Sequence, residues 1–166
     1  MLRFFTRPAA ASPAQVDPLL AFVQEIGLAV REAPLRQLTF LPGLLIAEGQ
    51  LVVDRRRLLY AGDILHEAGH LAVTTAAERP TLGGNITENN PEKEGEEMAV
   101  LAWTYAACHH LNLSPAVVFH PAGYKGQSEW LIQQFESGSY LGLPLLVWMG
   151  LTTQSDFPRM HRWLRA

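Results

Sequence analysis

The chain has 166 residues, of which 48% are apolar and 17% charged, a balance that allows one domain with a substantial core and excludes a disordered chain. Its net charge of −3 offers no basic face for nucleic acid, so we expect no nucleic-acid partner. The single Cys108 excludes an internal disulfide, and no apolar run has the length of a secretory signal or of a membrane span. We therefore expect a cytoplasmic protein with no membrane partner.

The N-terminal segment is rich in proline and alanine, and we expect residues 1–14 to form a flexible arm ahead of a single domain at 15–166. The pair Asp17-Pro18 then predicts the start of a helix, because aspartate is a good N-cap and proline suits the first helical position. Apolar residues continue at helical spacing, so this helix is expected to extend to about Glu32.

A β-hairpin is predicted next. Short apolar runs at 44–46 and 51–53 lie on either side of Glu48-Gly49, which is typical of two strands joined by a tight turn. The hairpin comes just before the next predicted helix, so it could form one wall of a cleft. An exposed strand edge in such a wall can pair with an extended peptide.

The rest of the chain is predicted to be mostly helical. Helices at about 60–78 and 96–112 are separated by a polar loop at 81–95, and the second helix is apolar on most of its faces, which indicates burial. Shorter helices are expected at 128–137, 140–151 and 157–165. The predicted fold class is α+β, mainly helical, with a small antiparallel β-sheet beside the first of these helices.

The segment from His66 to His70 has the form H-E-x-x-H, with Glu67 after the first histidine. On a helix the two histidines lie on one face, where two neutral imidazoles can bind a single Zn²⁺ and leave positions for a third ligand and water. Glu67 is placed to take a proton from that water. The pattern also occurs by chance on exposed helices, but the apolar residues around it favour a metal site, since burying these polar groups needs compensation.

The third ligand cannot be the histidine of the extended H-E-x-x-H-x-x-G-x-x-H pattern, because Val73 and Ala76 occupy the required positions. The other known solution is a glutamate from a following helix. Glu96 and Glu97 both stand at the start of the predicted helix at 96–112. One of them can be the ligand and the other a helix-capping or solvated residue, since carboxylates are also favourable in a first turn.

This arrangement resembles the gluzincin type of the zincin metallopeptidases, especially the small intracellular ImmA/IrrE-type proteins. The resemblance covers about residues 38–112 and rests on His66-Glu67-x-x-His70, the polar loop and Glu97 on an apolar helix. It implies a zincin-like domain in which His66, His70 and Glu97 hold Zn²⁺ and Glu67 is the general base. The chain departs from the family in the residues after Glu97 and in its C-terminal third, where no helix-turn-helix pattern is visible.

Peptide hydrolysis also needs a donor for the developing oxyanion. Tyr124 and His120 lie in a loop containing Gly and Pro after the second helix and are candidates, although the favoured interpretation of each is a surface-loop residue. Asp63, one turn before His66, is interpreted as the N-cap of its helix; the alternative is an acceptor that orients a ligand imidazole.

Two functions follow from this pattern, and a third possibility is that the motif holds no metal and the protein is a helical structural domain. The leading hypothesis is a zinc-dependent metallopeptidase acting on a protein or peptide substrate, in which a metal-activated water attacks the peptide bond and Glu67 transfers its proton. The alternative is a catalytically inactive zincin-like domain that binds metal and serves as a regulatory or interaction module. Occupation of the fourth metal position by water or by a protein side chain would distinguish the two.

Overall fold

The computed structural model describes residues 9–84 and 91–166, with the side chains of residues 91–94 excepted. Within these ranges the fold is α+β, as expected, with five α-helices and one three-stranded sheet. No helix of the described ranges combines the length and the apolar character needed to cross a membrane. The elements are, in chain order, α1 (Pro13–Glu25), β1 (Val30–Glu32), β2 (Leu44–Ala47), β3 (Gln50–Val53), α2 (Asp63–Val73), α3 (Pro91–His110), α4 (Ser128–Glu136) and α5 (Leu143–Trp148).

The first helix begins at Pro13 and not after Asp17 as predicted. Ser12 is the N-cap, and its backbone N–H donates to Oε1 of Gln15 at 3.1 Å. Proline does occupy the first helical position, but it is Pro13; the later proline lies inside the helix. The last two residues of the predicted arm are therefore helical, and residues 1–8 of that arm lie outside the described residues.

The same helix ends at Glu25, before the predicted end at Glu32. Gly27 follows in the left-handed conformation with φ of 99°, and the N–H of Leu28 donates to the carbonyl of Val23 at 3.2 Å. This is the hydrogen-bond pattern that closes many helices. The freed residues from Val30 onward form β1 instead.

The predicted hairpin is confirmed. β2 and β3 pair antiparallel, and both turn residues, Glu48 and Gly49, have positive φ (51° and 70°), as a tight two-residue hairpin turn requires. The predicted antiparallel sheet is wrong in one respect: β1 pairs with β3 in parallel, so the sheet is mixed, with strand order β1-β3-β2. The reason is the early end of α1, which makes a third strand available. β2 lies at one edge of the sheet.

The helix that carries the H-E-x-x-H segment, α2, runs through the core. It begins after Gly62, where any side chain would collide with the backbone of Val117, because a Cβ there would lie 1.9 Å from the Val117 carbonyl oxygen. It ends at Val73, since Thr74 is extended. α2 packs along α3, and the largest fully buried side chains include Ile64, Leu65, Leu71, Trp103, Phe119 and Phe135.

The C-terminal part contains α4 and α5 where helices were expected, but the helix predicted at 157–165 is absent. The residues after Trp148 form turns and irregular backbone that packs against α2 and α3. The N–H of Arg165 donates to the carbonyl of Ala72 at 2.9 Å, and the carbonyl of Trp163 accepts a hydrogen bond from Trp103 Nε1 at 2.9 Å. The N–H groups of His161 and Arg162 donate to the carbonyl of Leu151, so the segment bonds to other parts of the chain in place of a continuous helical ladder.

Candidate metal centre

His66 and His70 lie one turn apart on the same face of α2, as their spacing predicts. Their Nε2 atoms are 3.3 Å apart, and the rings meet edge to face with 4.9 Å between centroids. The side chains are largely buried, with exposed fractions of 14% and 7%. Two imidazole nitrogens therefore face one small volume beside α2.

The third group at this volume is the carboxyl of Glu97 on α3. Its Oε1 lies 3.6 Å from His66 Nε2, and its Oε2 lies 3.3 Å from His70 Nε2. Of the two candidate glutamates, Glu97 is the one brought to the histidines, while Glu96 forms an ion pair with Arg165 at 3.6 Å. His66, His70 and Glu97 together could hold a metal ion.

The electrostatics of these side chains suit a cation. Burial lowers the pKa of His66 to about 4, with a smaller contribution from the charge of His120, so the His66 imidazole is neutral near pH 7 and has a lone pair to offer. Burial also raises the pKa of Glu97, because an ionised carboxylate is poorly solvated there. A divalent cation bound between the three side chains would supply the missing compensation for that charge.

Glu67 lies beside this group and lines an adjoining cleft. Burial, together with the smaller effect of the negative charges of Asp63 and Glu97, raises the pKa of Glu67 to about 8. Glu67 is thus a carboxyl that holds its proton more tightly than an exposed glutamate, next to a group that could bind metal. Perturbed carboxyls of this kind are common where proton transfer takes place.

The cleft has a volume of about 370 Å³. Its walls come from the loop before the hairpin, from β2 and from α2, so it connects the sheet edge to the H-E-x-x-H helix. The N–H of Gly84 donates to the carbonyl of Ile46 at 2.9 Å, and the N–H of Leu44 donates to the carbonyl of Leu41 at 3.1 Å, so two backbone groups on the outer edge of β2 are already bonded. The lining residues are Gln37, Leu38, Thr39, Phe40, Leu41, Leu44, Leu45, Ile46, Glu67 and Gly84.

Tyr124 contacts the far side of the His66 ring. Its hydroxyl lies 3.3 Å from His66 Nδ1, whereas His66 Nε2 faces His70 and Glu97. A partner at Nδ1 fixes the orientation and the tautomer of a ligand imidazole, so this contact leaves Nε2 free to bind a metal. Tyr124 has φ of 56°, an uncommon conformation for a non-glycine residue, which directs its ring toward α2.

His120 and Asp63 form a buried pair, with 2.8 Å between His120 Nε2 and Asp63 Oδ1. The His120 ring stacks on Tyr60 with centroids 3.9 Å apart. Both interpretations of Asp63, helix cap or partner of a ligand imidazole, are therefore corrected: Gly62 is the N-cap, and the Asp63 carboxyl binds His120. Sequence reasoning missed this pair because the two residues are far apart in the chain and follow no pattern.

The two candidates for an oxyanion donor are thus both engaged with other side chains of the described residues, Tyr124 with His66 and His120 with Asp63. Neither is among the residues that line the cleft.

Comparison of the chain with protein-family models, with curated proteins and with solved structures finds no match.

Proposed function

We propose that this protein is a zinc-dependent peptidase that hydrolyses peptide bonds in a protein or peptide substrate. One observation carries the proposal: two histidines and a glutamate converge on one volume, and Glu67, the residue after His66 on α2, lines a cleft. This is the set of groups that metal-assisted hydrolysis needs, namely ligands, a proton acceptor and access for a substrate.

The ligand spacing supports zinc. Zinc bonds of about 2.1 Å to nitrogen and oxygen place neighbouring ligand atoms of a tetrahedron roughly 3.4 Å apart. The separations here are 3.3 Å between the two Nε2 atoms, and 3.6 and 3.3 Å from these atoms to the Glu97 oxygens. Three protein ligands also leave a fourth position for water, as in catalytic zinc sites.

The roles of the residues follow from their positions. His66, His70 and Glu97 would hold the ion, and Tyr124 would keep the His66 ring in place. A bound zinc ion polarises a peptide carbonyl and makes water a better nucleophile at neutral pH. The charge of a bound zinc ion would lower the pKa of Glu67, so that Glu67 could accept the proton of the attacking water and return it to the leaving amine. An extended substrate would lie along the outer edge of β2, which forms part of the cleft wall.

The first test is metal content. Wild-type protein purified without added metal or an affinity tag is expected to contain about one zinc per chain by elemental analysis. His70→Ala removes a ligand and should lose the zinc, whereas His109→Ala, which removes an exposed histidine of α3, should retain it. Absence of metal from the wild type, even after zinc is supplied, would overturn the proposal.

The second test separates metal binding from catalysis. Glu67→Gln keeps the size of the side chain but removes the proton acceptor, so zinc should remain bound while peptide hydrolysis falls by at least about a hundredfold. The measurement is cleavage of a mixed peptide library followed by mass spectrometry. Undiminished hydrolysis by the variant would contradict the role of Glu67.

A metal-binding module that does not cleave is the second candidate function. One observation favours it: the two candidates for an oxyanion donor, Tyr124 and His120, contact His66 and Asp63 and do not line the cleft. Stoichiometric zinc together with no cleavage of any library peptide would decide for this alternative.

A further inference from the structure

Two large apolar side chains stand almost fully in solvent on the loop before β2. Leu38 is 96% exposed and Phe40 is 80% exposed. Their neighbours on the same loop line the cleft, as do Leu38 and Phe40 themselves. Single exposed apolar residues are ordinary, but two of them on the rim of one cleft form a patch that can bind an apolar partner.

The loop holds these side chains outward by means of hydrogen bonds. The N–H of Leu35 donates to the buried Asp54 carboxylate at 2.9 Å, and Arg57 Nη1 donates to the carbonyl of Gln37 at 3.0 Å. Thr39 Oγ1 donates to the carbonyl of Leu41 at 2.7 Å. With its backbone fixed at these points, the loop would lose little further freedom when a ligand binds, which favours affinity.

The opposite side of the cleft belongs to the same site. It is formed by β2, where Leu45 is half-buried while Leu44 and Ile46 are buried in the core, and the cleft reaches Glu67. Among the described residues, Glu67 is the only ionisable one that lines the cleft, and none of them is a cation that could pair with an acidic side chain. A strand edge, an apolar rim and a proton acceptor in one cleft fit an extended peptide better than a compact polar ligand.

We propose that Leu38 and Phe40 determine substrate specificity by enclosing a bulky apolar side chain, such as Leu, Phe or Met, of an extended peptide lying along β2. The claim that the peptide is cut rests on the proposed peptidase function. The claim that an apolar peptide binds there rests only on the residues that line the cleft. Burial of one such side chain between two apolar residues discriminates it from alanine by about tenfold to a hundredfold.

The experiment uses a series of dye-labelled octapeptides of alanine and glycine with one central position occupied by Leu, Phe, Ala, Lys or Glu. Hydrolysis is measured with the zinc-loaded wild type, and binding is measured by fluorescence anisotropy with Glu67→Gln. The Leu and Phe peptides should exceed the Ala peptide by at least about tenfold in both measurements. The double variant Leu38→Ser/Phe40→Ser should remove this preference without loss of folding, because both side chains are exposed.

Trp130→Ser is the matched control, since it removes an exposed aromatic side chain that does not line the cleft, and it should keep the full preference. The inference would be overturned, with hydrolysis intact, if the double variant kept the wild-type preference for the Leu and Phe peptides over the Ala peptide. It would also be overturned if the wild type showed no such preference. Apolar-selective binding that the double variant loses, without cleavage of any peptide, would support the inference and overturn the peptidase. A wild-type dimer that the double variant converts to a monomer would assign Leu38 and Phe40 to self-association and overturn the inference.

Discussion

At the scale of single residues, the burial of Glu67 has a consequence for stability. Its folded-state pKa of about 8 lies above the ordinary value of 4.5, so between these pH values the folded, metal-free protein holds a proton that the unfolded chain has released. The resulting stabilisation is complete below about pH 4.5 and is lost as the pH rises toward 8.

Glu67→Gln in the metal-free protein should therefore remove this pH dependence. We expect the variant to be more stable than the wild type at pH 8, by about 4 kcal/mol in the free energy of unfolding, and nearly equal to it at pH 4.5. Urea denaturation in the presence of a chelator at the two pH values measures the difference. Glu129→Gln, at an exposed position of α4, is the control and should change little at either pH.

The sequence predicted those site residues whose arrangement depends only on their spacing within one helix. His66 and His70 share a helix face because of their spacing alone, and the structure brings them together. The choice of Glu97 over Glu96 needed the relative position of two helices, which was available only through the family resemblance. The pair of Asp63 and His120 depends on a contact across 57 positions, and no periodicity announces such a contact.

At the scale of elements, the contact between α2 and α3 sets the position of Glu97 relative to the two histidines. Gly69 on α2 allows this contact to be close: a Cβ there would lie 2.9 Å from Val100 Cγ1 and 3.3 Å from Trp103 Cε3, both on buried side chains of α3. A valine side chain has few rotamers into which it can move. The helices would therefore have to separate to accommodate any larger residue.

Gly69→Ala should destabilise the protein by about 1–2 kcal/mol, because overpacking outweighs the gain in helix propensity of about 1 kcal/mol. Its zinc affinity should also fall, since α3 carries Glu97. Gly95→Ala makes the same substitution on α3 where a Cβ would meet nothing within 4 Å, so it should have the opposite sign and stabilise slightly. Thermal melts and competition with a chromogenic chelator measure both effects; equal behaviour of the two variants would contradict this account of the helix contact.

The elements themselves were predictable where turn chemistry is local. Glu48-Gly49 indicated the hairpin turn, and the structure has it. The third strand was missed because the helical spacing of apolar residues continues past Gly27, where the backbone leaves the helix. The parallel pairing of β1 with β3 joins residues such as Val30 and Leu51, and such distant pairing is chosen by the whole fold and not by either segment.

At the scale of the whole molecule, Arg79 connects the end of α2 to the C-terminal segment. Its Nε donates to the carbonyl of Leu71 at 2.8 Å, and its Nη2 donates to the carbonyls of Thr74 at 3.0 Å and Arg165 at 2.8 Å. These carbonyls lie at the end of a helix or beyond it, where no further turn of helix satisfies them. The Arg79 guanidinium thus satisfies carbonyls at the end of α2 and attaches the last described residues to this helix.

Arg79→Ala would remove the charged donor from the carbonyls of Leu71, Thr74 and Arg165. The expected loss in the free energy of unfolding is about 2–3 kcal/mol, measured by urea denaturation. Arg159→Ala is the matched control, because Arg159 forms only an exposed ion pair with Asp156 and its removal should cost less than about 0.5 kcal/mol. Similar losses for the two variants would show that Arg79 is not the link between α2 and the C-terminal segment.

The hydrogen bond from the Arg165 N–H to Ala72, two residues after His70, also bears on the order of folding. Closing the loop between Ala72 and Arg165 costs entropy that local helix formation does not recover. This contact therefore belongs to the late steps of folding. During synthesis, all three candidate ligands would be made long before the segment that bonds to the end of α2. Zinc binding at the proposed site would then follow completion of the fold. It would depend on an intact C-terminal segment as well as on the residues that contact the ion.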